Sequence, residues 1–264
     1  VRNIDYLWYK FKPAKKQKNM RKEMYLIRGI ENENYRQFTD RILKLADTVS
    51  ELISPDALKV TLTREAPPTI SVIPFKKKKI AVFSVYKENN TKVGHLINYE
   101  GFAGSFIVDE ALPVSYDRTW TDGEPTPGAC LLTLFHRKPG IDYDTFIDRW
   151  HNSHTPMSLR IHPLWNYNRN VVLQKTSDHP DWFDGIVEEH TRTKAELLNP
   201  FKFFGNALEI LGNMLSVYTD TKSFIDYKRI ETYLAMEYHI VSHQVYQNEI
   251  SSQNQSINNQ ANVI

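Results

Sequence analysis

The residues best equipped for chemistry stand close together in the stretch Trp150-His151-Asn152-Ser153-His154, which ends one residue short of Pro156. An imidazole gives or takes a proton near neutral pH, which suits enolisation, dehydration or aldol-type ring closure. His154 is therefore the candidate acid/base. The competing role is structural, a histidine that hydrogen-bonds the ends of neighbouring elements. His151 lies three residues earlier, so the pair could offer two nitrogens on one helix face to a metal. No third ligand follows at a characteristic spacing, and Asp148 and Asn152 beside His151 suit a solvated face.

A second set of ionisable groups sits on strands. In WFDGIVEEH the residues Trp182, Asp184, Ile186, Glu188 and His190 share one face and Phe183, Gly185, Val187 and Glu189 the other, so an acid points inward whichever face is covered. A buried carboxylate requires a partner. Tyr167 and Arg169 on one neighbouring strand, His136 on another, and Glu237 and His239 on the last could supply it. The candidate substrate-binding set is thus His136, Tyr167, Arg169, Asp184, Glu188 and His239.

These groups need positioning, and the local sequence says how. Residues 129–137 alternate as a strand, Lys138-Pro139-Gly140 breaks it, and Asp142 can cap a helix whose stripe is Phe146, Ile147, Trp150 and His154. Pro156 is expected to end that helix at Thr155. Strands follow at 165–174 and 182–190, then a helix over 194–217 and a strand at 230–241. The first half reads alike: a strand from Met24, a helix with Phe38, Ile42, Leu45, Val49 and Leu52 on one face, strands at 57–64 and 79–86, a weak helix, and a strand near 105–115. Residues 117–128, rich in Pro, Gly and Asp, read as a linker.

The halves also match residue for residue. Tyr35, Phe38, Asp40 and Arg41 align with Tyr143, Phe146, Asp148 and Arg149 at one offset, and Glu110 and Ser115 with Glu237 and Ser242. The expected fold class is α+β: two ferredoxin-like β-α-β-β-α-β units packed sheet to sheet as an intrachain dimeric α/β-barrel enclosing a cavity. The expected divisions are an N-terminal arm at 1–22, a diverged unit at 23–116, the linker, a second unit at 129–246, and a disordered Asn/Gln-rich tail at 247–264. On the repeat alignment Ala46 replaces His154 and Leu43 replaces His151, so one site per chain is expected, built mainly by the second half.

Composition removes several function classes. A net charge of +2 over 264 residues gives no footprint for nucleic acid, and the lysine run 76–79 reads as a solvated loop. The one cysteine, Cys130, excludes an internal disulfide and reads as a buried small residue. No apolar run approaches a membrane span. The expectation is a cytoplasmic protein, with no membrane partner and a possible homodimer. Phosphate-binding loops, serine elbows and metal-binding helices do not occur in the sequence.

The block RKPGIDYDTFIDRWHNSHTPM, with WNYNRNVV and FDGIVEEH, resembles the EthD-type proteins of the dimeric α/β-barrel superfamily over about 129–242. Members share a strand, an Arg-Lys-Pro-Gly turn and a helix ending in Trp-His-x-x-His-x-Pro or a close variant. The resemblance carries over His154 and implies cofactor-free acid/base chemistry of the dehydratase, cyclase, decarboxylase or isomerase type on a small hydrophobic or aromatic oxygenated molecule. It equally implies a non-catalytic ligand-binding or accessory role in oxidative degradation, and, from other tandem barrels, haem binding as a third reading. No cofactor is expected on the first two.

Overall fold

The computed structural model describes residues 21–87 and 93–242. The expected tail at 247–264, and all of the expected arm but its last two residues, lie outside the described residues. Eight antiparallel strands close into a barrel in an α+β fold: β1 (Arg21–Arg28), β2 (Ala57–Leu62), β3 (Ile80–Lys87), β4 (Phe102–Val114), β5 (Ala129–Phe135), β6 (Asn166–Lys175), β7 (Gly185–Thr191) and β8 (Glu231–Val241). Around the barrel the order is β1-β3-β2-β8-β5-β7-β6-β4, so the strands of each half stay together and the halves join at β2–β8 and β4–β6.

The helices lie outside the barrel. In the first half α1 (Tyr35–Ile53) starts at a reciprocal cap, in which Asn34 accepts from the Gln37 amide and Gln37 accepts from the Asn34 amide, both at 2.9 Å. Its stripe of Phe38, Ile42, Leu45, Ala46 and Val49 is buried against outward residues of β1, β2 and β3. The short α2 (Gly94–Ile97) matches the weak second helix read from the sequence. In the second half α3 (Tyr143–Asp148) is capped by Asp142, as expected, through a 2.7 Å bond from the Thr145 amide.

Pro156 does not end this helix. Residues Arg149–His154 form a π-helical turn, and α4 (Thr155–Ile161) continues through the proline. The Thr155 amide and hydroxyl both reach the Trp150 carbonyl, so the widened turn takes up the register change that an interior proline otherwise forces. The helix expected over 194–217 is three pieces, α5 (Lys194–Leu198), α6 (Pro200–Phe203) and α7 (Ile210–Phe224), with breaks at Pro200 and at Gly205, whose φ is +101°.

Strand alternation gives the barrel two kinds of interior. Near one mouth Met24, Leu26, Ile80, Val82, Phe106, Leu132, Leu134, Ile186 and Tyr233 form an apolar core. Toward the other, seven of the eight strands contribute polar groups, among them Lys22, Lys59, Tyr86, Glu110, Asn170, Glu188 and Glu237. Lys22, placed in the arm by the sequence reading, is a buried member of β1 bonded to Glu110 at 2.7 Å and Asn170 at 2.8 Å. Lys59 pairs with Glu237 at 2.9 Å, and Thr61 donates to Glu188.

The stretch 117–128 connects the halves but does not loop free. It lies along β8 through Gly123 N to His239 O at 2.7 Å and Thr126 N to Glu237 O at 2.8 Å, with Tyr116 and Trp120 packed at a tilt against each other and against Trp165 at the polar mouth. Among the described residues no helix is long and apolar enough to cross a membrane.

Burial alone would neutralise the ions of this network. Instead Glu110 is drawn down to about 2 by Lys22 and Lys59 against the effect of burial, and Glu237 is held well below the usual carboxylate range by Lys59 and the histidines beside it. Removing one partner should strand a buried charge. Lys59→Met is expected to cost about 3–5 kcal/mol in urea unfolding, and Lys59→Met with Glu237→Leu to cost less than the two single losses added.

Candidate functional site

The strand faces that do not enter the barrel meet the helices, and in the second half they do not meet them everywhere. A cavity of about 460 Å³ lies between the outer face of β5, β6 and β7 and the layer formed by the π turn, α4, α6 and α7. Phe135, Trp150, Val187, Phe203, Phe224 and Ile230 make it largely apolar, and Val72, Ile73 and Pro74 from the first half close one side. Gly185 allows this packing, because a Cβ there would sit 2.4 Å from the Phe135 ring and 2.7 Å from the Trp150 ring. On α1 the matching space is filled, with Ala46 fully buried where the second half has His154. The barrel-interior cavity anticipated from sequence is replaced, as the candidate site, by this one outside the barrel.

His154 reaches the cavity from the end of the π turn, where helical departures of this kind often accompany function. Its Nδ1 lies 2.9 Å from Asp220 Oδ2 on α7, and its Nε2 lies 3.2 Å from the Ser158 hydroxyl. Burial would raise the Asp220 carboxyl, but hydrogen bonds from His154 and from Ser153, at 2.6 Å, hold it below the usual range. An ionised Asp220 fixes Nδ1–H as the donor, which leaves the Nε2 lone pair to accept a proton. The arrangement is an oriented base.

Glu189 lines the same cavity from β7. Burial among apolar groups pushes its carboxyl up to about 7, with a smaller opposing pull from His154. Near neutral pH it is therefore partly protonated and able to donate. His162 is also in the lining, with Nδ1–H donating to the Phe203 carbonyl at 2.8 Å and the ring stacked on Phe203. Burial lowers its pKa to about 4 and keeps it neutral.

The structure does not bring the residues singled out from sequence to one place. His154 and Tyr167 line the cavity. Arg169 stands behind its wall, donating to Thr155 Oγ1 at 2.8 Å with its guanidinium over Trp150, and so braces the π turn. Glu188 and His239 belong to the barrel network, where His239 Nε2 lies 2.7 Å from the Tyr116 hydroxyl. His136 lines a separate cleft, and Asp184 accepts from the Arg137 amide at 2.7 Å. Asp220 carried no sequence signal, because YTDTKSF is an unremarkable helical stretch. Glu189 did: alternation put one of Glu188 and Glu189 under the helices. Among the described residues no His, Cys, Asp and Glu group is arranged to hold a metal ion.

No protein-family model matches the chain, and no curated protein matches it. Among solved structures it is similar to one described as a crystal structure study of an anthrone oxidase-like protein, with a TM-score of 0.54 and 8% identity over 85% of this chain and 92% of that one. The likeness is one of fold.

Glu189 ties the site to stability. Its folded value of about 7 lies above the unfolded value of about 4.3, so folding takes up a proton between them and stability falls as pH rises through that window. Glu189→Gln should be more stable than wild type at about pH 8, by roughly 3 kcal/mol. The difference should vanish near pH 4, and urea unfolding at both pH values checks it.

Proposed function

We propose that the chain is an EthD-like protein built from two ferredoxin-like units in tandem, and that it performs cofactor-independent acid/base chemistry on a hydrophobic, oxygenated small molecule. The observation that carries this reading is the pairing, in one apolar cavity, of an Asp220-oriented His154 with a carboxyl raised to about 7. A base oriented by a carboxylate and a carboxyl kept partly protonated are what proton transfer to and from carbon requires. The tandem reading is supported by the element order of each half and by equivalent places for Tyr35 and Tyr143, Phe38 and Phe146.

In this mechanism the substrate's apolar body fills the space among Phe135, Trp150, Phe203 and Phe224. His154 Nε2 removes a proton from the carbon beside a carbonyl, Asp220 stabilises the imidazolium that forms, and the Glu189 carboxyl donates to the oxygen that becomes an enol. Return of the His154 proton to another carbon of the enol, as the enol O–H proton goes back to Glu189, completes an isomerisation; loss of a β-hydroxyl as water, protonated by the His154 imidazolium while Glu189 takes back the enol proton, completes a dehydration. An anthrone, the compound class in the solved neighbour's description, is a fused-ring aromatic ketone with such an acidic methylene.

Haem fits the lining poorly. No Lys or Arg lines the cavity to receive propionates.

The test is exchange of the anthrone methylene protons in deuterated buffer, followed by NMR. Wild type should accelerate exchange, His154→Ala should lose about 10²–10⁴-fold, and Asp220→Asn should lose about 10²-fold. Glu189→Gln should abolish the fall in rate above about pH 7. Anthrone binding with no accelerated exchange would overturn catalysis in favour of a ligand-binding or accessory protein.

A further inference from the structure

The apolar mouth of the barrel carries a second cleft, of about 480 Å³, that the acid/base mechanism does not use. Lys76, His136, Pro180, Asp181, Trp182, Phe183, Lys228, Arg229, Ile230 and Glu231 line it. The strand expected from residue 182 starts only at Gly185, so Trp182 and Phe183 stand at the mouth instead of in the sheet. His136 packs between them, its ring centroid 5.3 Å from Trp182 and 5.2 Å from Phe183. Trp182 remains 44% exposed, which leaves an aromatic surface open.

The charges around this wall are unevenly spent. Asp181 and Glu231 both engage Arg28, each at 3.2 Å, and Glu231 also accepts the Tyr233 hydroxyl. Arg229 is held by Asp226 at 2.8 Å. Lys76 and Lys228 have no acidic partner among the described residues, and both are exposed on the rim. Lys76 begins the lysine run 76–79.

The decisive group is His136. Only 7% of it is exposed, yet its Nδ1 has no hydrogen-bond partner among the described residues. Buried polar atoms are seldom left unsatisfied, and those that are tend to mark a place where something else binds. Burial, and then the Arg229 charge, lower its pKa, so the ring is neutral and offers one N–H.

We propose that this cleft is a second binding site, for an aromatic carboxylate. The ligand ring lies against Trp182 and Phe183, and the carboxylate accepts from His136 Nδ1–H between the ammonium groups of Lys76 and Lys228. A single buried donor, two unspent cations and an aromatic wall suit a planar monoanion. The His154 cavity, which has no cation in its lining, suits a neutral molecule. Ile230 borders both spaces, so the two sites are neighbours with different ligand chemistry.

The test is calorimetric titration with 2-naphthoate at low ionic strength, with 2-naphthamide as the uncharged analogue. Saturable one-to-one binding is expected, weaker by about tenfold or more for the amide and for the Lys76→Glu/Lys228→Glu protein. Added salt should weaken it further. Trp182→Ala and His136→Gln should each reduce affinity, and the double lysine variant, changed only at exposed side chains, should keep the wild-type unfolding temperature. Absence of naphthoate binding, equal binding of the amide, or indifference to the lysine reversal would each overturn the proposal. None of these results depends on anthrone exchange, so this site and the His154 reading can fail separately.

Discussion

Most of the barrel's strand length is covered on both faces, as in β7, where every residue is buried, and the period of two in a β-strand decides which of two buried worlds a side chain enters. Glu188 and Glu189 show the consequence. They are adjacent in the chain, both are buried, and they face opposite ways. Glu188 enters the barrel, where Thr61 donates to it and Lys59 and Lys22 stand 3.9 and 4.0 Å away. Glu189 enters the apolar space under the helices, where burial raises it to about 7. A register slip of one residue would exchange a paired ion for a stranded one and remove the acid from the cavity.

The barrel network and the cavity therefore depend on each other. Lysines and carboxylates from β1, β2, β4, β7 and β8 tie strands that are distant in sequence, and such pairs favour one register because any other leaves charges alone in the interior. With register held, Gly185, Val187 and Glu189 present a fixed floor to α3, the π turn and α7. The π turn then aims His154 at that floor, braced by Arg169 through Thr155 and by Asp220 from α7.

The two halves differ where this matters. Both start their first helix with a tyrosine and bury a phenylalanine three residues later. In the first half α1 lies directly on the sheet with Ala46 in the contact. In the second, the π turn and the broken run of α5, α6 and α7 hold the helical layer away from it. The cavity exists because that layer is irregular.

Much of the architecture is local in origin and so is readable from sequence: alternation marks the strands, the stripe of Phe38, Ile42, Leu45 and Val49 marks the long helix of the first half, and the Asp142 cap marks the start of the helix in the second. Alternation also established that one glutamate of the pair would face the helices. Which one did, where the cavity lay, and which carboxylate would meet His154 were set by contacts across large separations. Asp220 is 66 residues from His154, and Lys59 is 178 from Glu237. Pro156 shows the same limit: its usual helix-ending effect was overridden because Thr155 and Arg169 stabilise a widened turn. Local sequence specifies dihedrals, caps and periodicity, whereas burial and charge pairing act through space and are decided only when the chain is closed into its barrel.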